Sequence, residues 1–217
     1  MRTFRDRADA GRQLADQLGA YASDSPVVLA LPRGGVVTAF EIARALRAPL
    51  DVLVVRKLGA IGQPEFGIGA IAPDDVRIID RSSARLAGMD EADVRAVIER
   101  EKRELARREE RYRAGREPLD VRGKTVILVD DGVATGVTVR AAIAYLRTRG
   151  VGRIVLAVGV IPPQTADVLR GEVDDLVYVL MPEDLVAVGL YFDDFAPVED
   201  EAVVALLDAA SMTPVAR

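Results

Sequence analysis

The chain contains no cysteine, no histidine and no tryptophan. Without cysteine there is no disulfide framework and no thiolate metal site. Without histidine there is no Ser–His triad, no imidazole acid–base catalyst and no His-ligated zinc. Any metal is therefore a hard cation held by oxygen, and Mg²⁺ is the natural candidate. Long apolar runs are missing as well. The longest, residues 154–161, has strand length and stops at Pro162-Pro163, well short of the roughly 18 residues of a membrane span. There is no excess of positive charge: 29 Lys+Arg against 34 Asp+Glu leave a net charge of −5, which offers no general electrostatic footprint for nucleic acid. Arg2, Arg5 and Arg7 are interleaved with Asp6 and Asp9, unlike an acid-poor transit peptide or a signal peptide with its apolar stretch. The reading is a cytoplasmic protein with neither membrane nor nucleic acid as partner.

With 217 residues, 50% of them apolar, the chain can bury one good-sized core. No Pro/Gly/Ser-rich linker, internal repeat or low-complexity segment divides it, so a single domain over 1–217 is expected. Val27–Leu31, Val52–Val55, Thr125–Val129, Ile154–Val160 and Leu176–Leu180 read as strands, nearly continuous in apolar residues rather than alternating. That pattern predicts a parallel sheet covered on both faces. Helices are predicted over 5–19, Val36–Leu46 and Val137–Arg149, giving an α/β fold with an open sheet. In such sheets ligands bind beyond the carboxyl ends of the strands.

Residues 90–114 predict a long charged helix with Glu99–Arg103, Glu104–Arg108 and Glu109–Arg113 spaced as i,i+4 pairs, acid first. Val94, Val97, Ile98 and Leu105 form its narrow apolar seam. The arginines read as a solvated face braced against a partner surface rather than a nucleic-acid binder. This helix is also a candidate surface for a homodimer.

The most informative stretch is Thr125 to Thr138. An apolar strand ends in two carboxylates, Asp130 and Asp131, and a small-residue loop with Thr135 and Thr138 then opens a helix. The loop and helix start offer backbone amides and a positive dipole end to a phosphate. The carboxylates can accept hydrogen bonds from vicinal hydroxyls or hold a hydrated Mg²⁺. A ribose 5-phosphate has that combination. A P-loop would need lysine before Thr138, where Val137 stands, and the glycines do not fit a dinucleotide fingerprint. A second loop, Pro32-Arg33-Gly34-Gly35, follows the first strand. Its glycines let amides approach an anion, and Arg33 adds a fork suited to phosphate oxygens.

Together with Phe4-Arg5-Asp6-Arg7 and Arg56-Lys57-Leu58-Gly59, these motifs resemble type I phosphoribosyltransferases, in particular a bacterial group of undefined acceptor. The resemblance runs from Phe4 to about residue 206. It implies an open, mostly parallel sheet flanked by helices, an inserted flexible loop and charged helix at about 59–118, and a small hood at about 181–198. It implies transfer of the 5-phosphoribosyl group from phosphoribosyl diphosphate (PRPP) to a nitrogen acceptor such as a nucleobase, with Mg²⁺ as cofactor and pyrophosphate as product.

By the same resemblance Asp130 and Asp131 bind the ribose hydroxyls. Gly132, Val133, Ala134, Thr135, Gly136, Val137 and Thr138 hold the 5-phosphate. Pro32, Arg33, Gly34, Gly35 and Lys57, the last read at the end of the second core strand, take the pyrophosphate, and a cis peptide is typical of that loop. Glu65, in a glycine-studded mobile loop, is a candidate base. Tyr191 or Phe192 would stack on the acceptor, and Asp193 would reach the metal. Hypoxanthine-guanine enzymes carry an aspartate where this chain has Ala134, so that assignment is withheld. The alternative is a non-catalytic regulator that binds PRPP or a nucleotide.

Overall fold

A computed structural model describes residues 3–212. From the N-terminus its elements are α1 (Arg7–Leu18), β1 (Val27–Ala30), α2 (Gly34–Leu46) and β2 (Leu50–Val52). An insertion follows: β3 (Arg56–Ala60), β4 (Gln63–Ile71), β5 (Arg77–Ile79), α3 (Arg81–Leu86) and α4 (Glu91–Arg113). The chain then runs through β6 (Thr125–Gly132), α5 (Val137–Thr148), β7 (Arg153–Val160), α6 (Pro163–Arg170), β8 (Asp175–Leu180) and α7 (Asp200–Ser211).

Five strands form the expected parallel sheet, in the order β2-β1-β6-β7-β8. Their alternate side chains enter two cores, because successive residues of a strand point to opposite faces. In β6, Ile127 and Val129 pack on the face covered by α1, α2 and α7. Val126 and Leu128 pack on the other, under α5 and α6. Both faces are buried, which is why the strands carry no polar alternation.

β1 leads through α2 on one face, whereas its neighbour β6 leads through α5 on the other. The chain therefore diverges between the carboxyl ends of β1 and β6, the place where such sheets form a ligand crevice.

Two strand boundaries differ from the sequence reading. β2 runs over Leu50–Val52 rather than Val52–Val55. Its partner β1 ends at Ala30, so the pairing closes with the Leu53 amide on the Ala30 carbonyl at 2.9 Å. β6 is longer than expected and includes both aspartates. β7 reaches far enough to pair Asp130 with Val158 and Gly132 with Val160 after β1 has stopped.

Arg56 and Lys57 do not end a core strand. They start β3, in a separate antiparallel sheet of order β3-β4-β5. The glycine-studded stretch is thus an ordered hairpin, seated on α4 through Leu58, Ile68, Val97 and Leu105. α4 matches its predicted span. Asp90 and Asp93 form a reciprocal capping box at its start. The Glu104–Arg108 and Glu109–Arg113 pairs close at 2.7 and 2.9 Å, while Glu99 pairs with Lys102 at 3.7 Å instead of Arg103. The sequence reading named no helix at α3, α6 or α7.

One buried carboxylate ties the insertion together. Glu101 of α4 accepts two bonds from the Arg56 guanidinium, at 2.8 and 3.0 Å, and one from Arg100. Glu101→Ala leaves Arg56 half-buried without its charged partner and is expected to cost about 2 kcal/mol of stability. A urea titration reads this as a lower midpoint at an unchanged slope; an unshifted midpoint would show that the pair contributes nothing.

Candidate active site

The overhang of β6 beyond β1 sets two carboxylates side by side at the crevice. Asp130 is half-buried and accepts the Asp131 amide on Oδ1 at 2.9 Å. Asp131 is buried, and its Oδ2 accepts from Arg7 Nε at 2.6 Å. The Arg7 guanidinium also donates to the Ala196 carbonyl at 2.8 Å and lies 3.7 Å over the Phe195 ring. Burial raises the Asp130 carboxyl well above the ordinary aspartate range, and the adjacent Asp131 charge adds to the rise. Burial also raises Asp131, with the Arg7 contact opposing it. Such a pair favours a ligand bringing hydroxyl donors or positive charge.

The Pro32–Gly35 loop folds directly against these aspartates, and its Pro32–Arg33 peptide bond is cis, the feature the resemblance implies. A methyl group at Gly34 would fall on Asp131 Oδ2 and lie 2.8 Å from Arg7 Nε; one at Gly35 would lie 2.9 Å from the Val129 carbonyl oxygen. Both positions require glycine because of close approach. α2 starts at Gly34 with no side-chain cap, so its first amides are open to an anion. The Arg33 guanidinium lies 3.6 Å from Glu199 and 3.7 Å from Asp200, at the start of α7.

On the other side of the crevice, residues 132–138 turn from β6 into α5. Gly136 takes φ +75° before α5, which also begins with no side-chain cap. Its first-turn amides therefore offer an anion site at the head of the helix dipole. Thr135 is exposed and Thr138 half-buried at this point. Val133 anchors the loop, its side chain buried and its amide on the Val160 carbonyl at 2.9 Å. The Thr165 hydroxyl donates to the Ala134 carbonyl at 2.6 Å. Gly132 packs against Val160 and Val188, leaving no room for a side chain.

The fold brings together Asp130, Asp131, Gly34 and Gly35, with the 132–138 loop continuing from the acid pair. Lys57 and Glu65 lie on the hairpin, both exposed, with Lys57 Nζ donating to the Glu65 carbonyl at 2.8 Å.

The aromatic platform expected at Tyr191 and Phe192 is not presented. Both rings are buried in a cluster with Phe4, Ala10 and Val160, and the Phe4 and Phe192 centroids lie 5.0 Å apart. The reason is the N-terminal arm: the Phe4 amide donates to the Tyr191 carbonyl, drawing the hood rings inward. Asp193 accepts from the Thr3 hydroxyl at 2.9 Å. Among the described residues no group of three or more Asp or Glu side chains is placed to hold a metal. Arg7 is the site residue that sequence reasoning passed over; it stood within the quoted Phe4–Arg7 motif without a role.

Residues 4–193 match the family model described as the phosphoribosyl transferase domain. The chain belongs to this family. Two curated proteins from two Mycobacterium tuberculosis strains, each named "Putative phosphoribosyl transferase", are 45% identical to this phosphoribosyl transferase domain over 97% of its length. That alignment takes up 47% of each relative, so the chain spans about half the length of the curated relatives it matches. The crystal structure of TT1426 from Thermus thermophilus superposes with a TM-score of 0.79 at 42% identity, over 95% of this chain and 98% of that one. No helix among the described residues is long and apolar enough to cross a membrane.

The raised Asp130 pKa has a consequence for the ligand-free domain. Asp130 holds its proton more tightly folded than unfolded, so its contribution to stability is full below the unfolded value of about 3.9. It is lost as pH rises through the higher folded value. Asp130→Asn is therefore expected to raise the melting temperature near neutral pH and to leave it almost unchanged near pH 3.5. A calorimetric scan at both conditions checks the sign, and a variant destabilised at neutral pH contradicts the assignment.

Proposed function

We propose that the domain transfers the 5-phosphoribosyl group from PRPP to a nitrogen acceptor of the nucleobase type, releasing pyrophosphate. The observation that carries this reading is the convergence, at one crevice, of a raised carboxylate pair and two uncapped helix starts. A molecule with vicinal hydroxyls between two phosphate groups matches that arrangement. Asp130 and Asp131 would accept from the ribose 2′- and 3′-hydroxyls. The Thr135–Thr138 segment would hold the 5-phosphate, and the Gly34–Gly35 amides the diphosphate.

The donor set fits Mg²⁺ that takes most of its ligands from substrate and water, since two adjacent carboxylates supply negative charge without forming a closed protein cage. When bound, the ion neutralises charge on the leaving diphosphate. The rest falls to the chain. The C1–oxygen bond breaks with its electron pair on the diphosphate, the acceptor nitrogen forms the bond to C1, and its proton leaves to a base. Arg33, released from Glu199 and Asp200, would stabilise the diphosphate as charge develops. The β3–β4 hairpin carries Lys57 and Glu65 together, and a swing of its tip over the crevice would bring an ammonium and a carboxylate to the reacting atoms and exclude water.

Incubation with Mg²⁺, PRPP and a pool of purines, pyrimidines and other nitrogen heterocycles tests the proposal. Mass spectrometry is expected to show a new 5′-monophosphate with equimolar pyrophosphate. The variant Asp130→Asn, which leaves the Arg7–Asp131 pair in place, is expected to fold and to lose at least about a hundredfold in turnover; wild-type kinetics from it would falsify the scheme. Tight PRPP binding with no product across the panel would point to the regulator instead.

A further inference from the structure

Beside the phosphate loop lies a cavity of about 450 Å³ that the scheme above has not used. Ala134 and Thr135 form one wall, the start of α6 another, and Glu183 to Val186 of the hood a third. It lies between the segment read as holding the 5-phosphate and the hood, the segment read as covering the acceptor.

The chemistry of its walls is one-sided. No lysine or arginine among the described residues lines it, while Glu183 and Asp184 contribute two carboxylates. Both are exposed, and neither carboxylate has an ion-pair or hydrogen-bond partner among the described residues, unlike Glu101 and Glu104 of α4. The hydroxyl hydrogen of Thr165 is already committed to the Ala134 carbonyl. Only the Thr135 hydroxyl and the Gln164 amide remain as side-chain donors, against two unpartnered anions. Ala134 adds no charge. The apolar contacts come from Leu185 and Val186, the latter 84% exposed, and not from an aromatic ring, because Tyr191 and Phe192 are turned into the core.

A ligand in this cavity meets hydrogen-bond acceptors along its edge. Ring N–H and amino groups, or a positive charge, are matched there. A carboxylate would face two like charges with no cation to offset them. We infer that the acceptor is a neutral or cationic nitrogen heterocycle rich in N–H donors, an amino-substituted base rather than a carboxylated one, and that Glu183 and Asp184 select it. This inference rests on the transferase reading for the identity of the cavity as the acceptor site.

Product-type nucleotides test it without requiring turnover. Calorimetry would compare adenosine 5′-monophosphate with orotidine 5′-monophosphate, which share ribose and phosphate but differ in base chemistry. The amino-bearing nucleotide is expected to bind at least about tenfold more tightly, and the double variant Glu183→Gln, Asp184→Asn to narrow that gap by relieving the repulsion of the carboxylated one. Equal affinities, a reversed order or a gap untouched by the variant would overturn the inference. Failure of both nucleotides to bind would overturn it as well. Absence of turnover with PRPP, alongside the expected nucleotide preference, would instead sink the transferase reading and leave Glu183 and Asp184 as selecting a bound nucleotide rather than an acceptor.

Discussion

The buried ion pair between Arg7 and Asp131 is the contact on which the site depends. A carboxylate taken out of water without a partner costs several kcal/mol, and here two stand next to each other in one strand. Arg7 offsets one of them at 2.6 Å, with both side chains about nine-tenths buried. The same guanidinium binds the Ala196 carbonyl and stacks on Phe195, so the group that makes the acid pair tolerable also fastens the C-terminal hood across the sheet edge. Gly34 follows from it, since the pair occupies the space where a side chain would begin. One interaction thereby fixes the N-terminal arm, the strand end, the glycine loop and the hood relative to each other.

That arrangement keeps the acid pair frustrated. Arg7 serves Asp131, and Asp130 has only the backbone amide of its neighbour and the more distant Arg7 charge against burial and repulsion. Structural ion pairs elsewhere in the chain are resolved more fully. Glu104, held by Arg107 and opposed by burial, has its pKa lowered to about 2. The contrast between Glu104, lowered on α4, and the raised pair at the crevice shows that the crevice carboxylates are held at a cost to stability, as the proposed ligand site requires.

Much of this was legible in the sequence because it follows from local pattern. Continuous Val/Ile/Leu runs specified strands buried on both faces, and the Asp130–Thr138 motif located the carboxyl end of β6. The i,i+4 spacing of acids and arginines gave α4. What stayed hidden depends on contacts distant along the chain. Nothing near residue 7 says that its guanidinium will meet Asp131, 124 residues away. The extra length of β6 comes from the reach of β7, and the start of β3 at Arg56 from its pairing with Ile71 of β4. The aromatic cluster at 191–195 is ambiguous for the same reason: its composition suits an exposed platform or a core patch equally. Phe4, from the opposite end of the chain, decides for the core.

Arg33 connects this frame to the rest of the molecule. Its guanidinium is shared with Asp200, whose carboxylate accepts the Tyr112 hydroxyl at 2.7 Å and lies 3.4 Å from Arg111. Burial disfavours the Asp200 charge, but Tyr112 and the surrounding arginines hold its pKa below the ordinary value. The carboxylate therefore stays ionised and can keep Arg33 beside α7. An anion arriving at the Gly34–Gly35 loop must compete with that carboxylate and with Glu199 for the same guanidinium. Tyr112 and Arg111 belong to α4, on which the hairpin with Lys57 and Glu65 is seated, so Arg33 is connected through Asp200 to the helix that supports the hairpin. On the proposed function, the insertion and the loop read as binding pyrophosphate are therefore joined by side-chain contacts already formed.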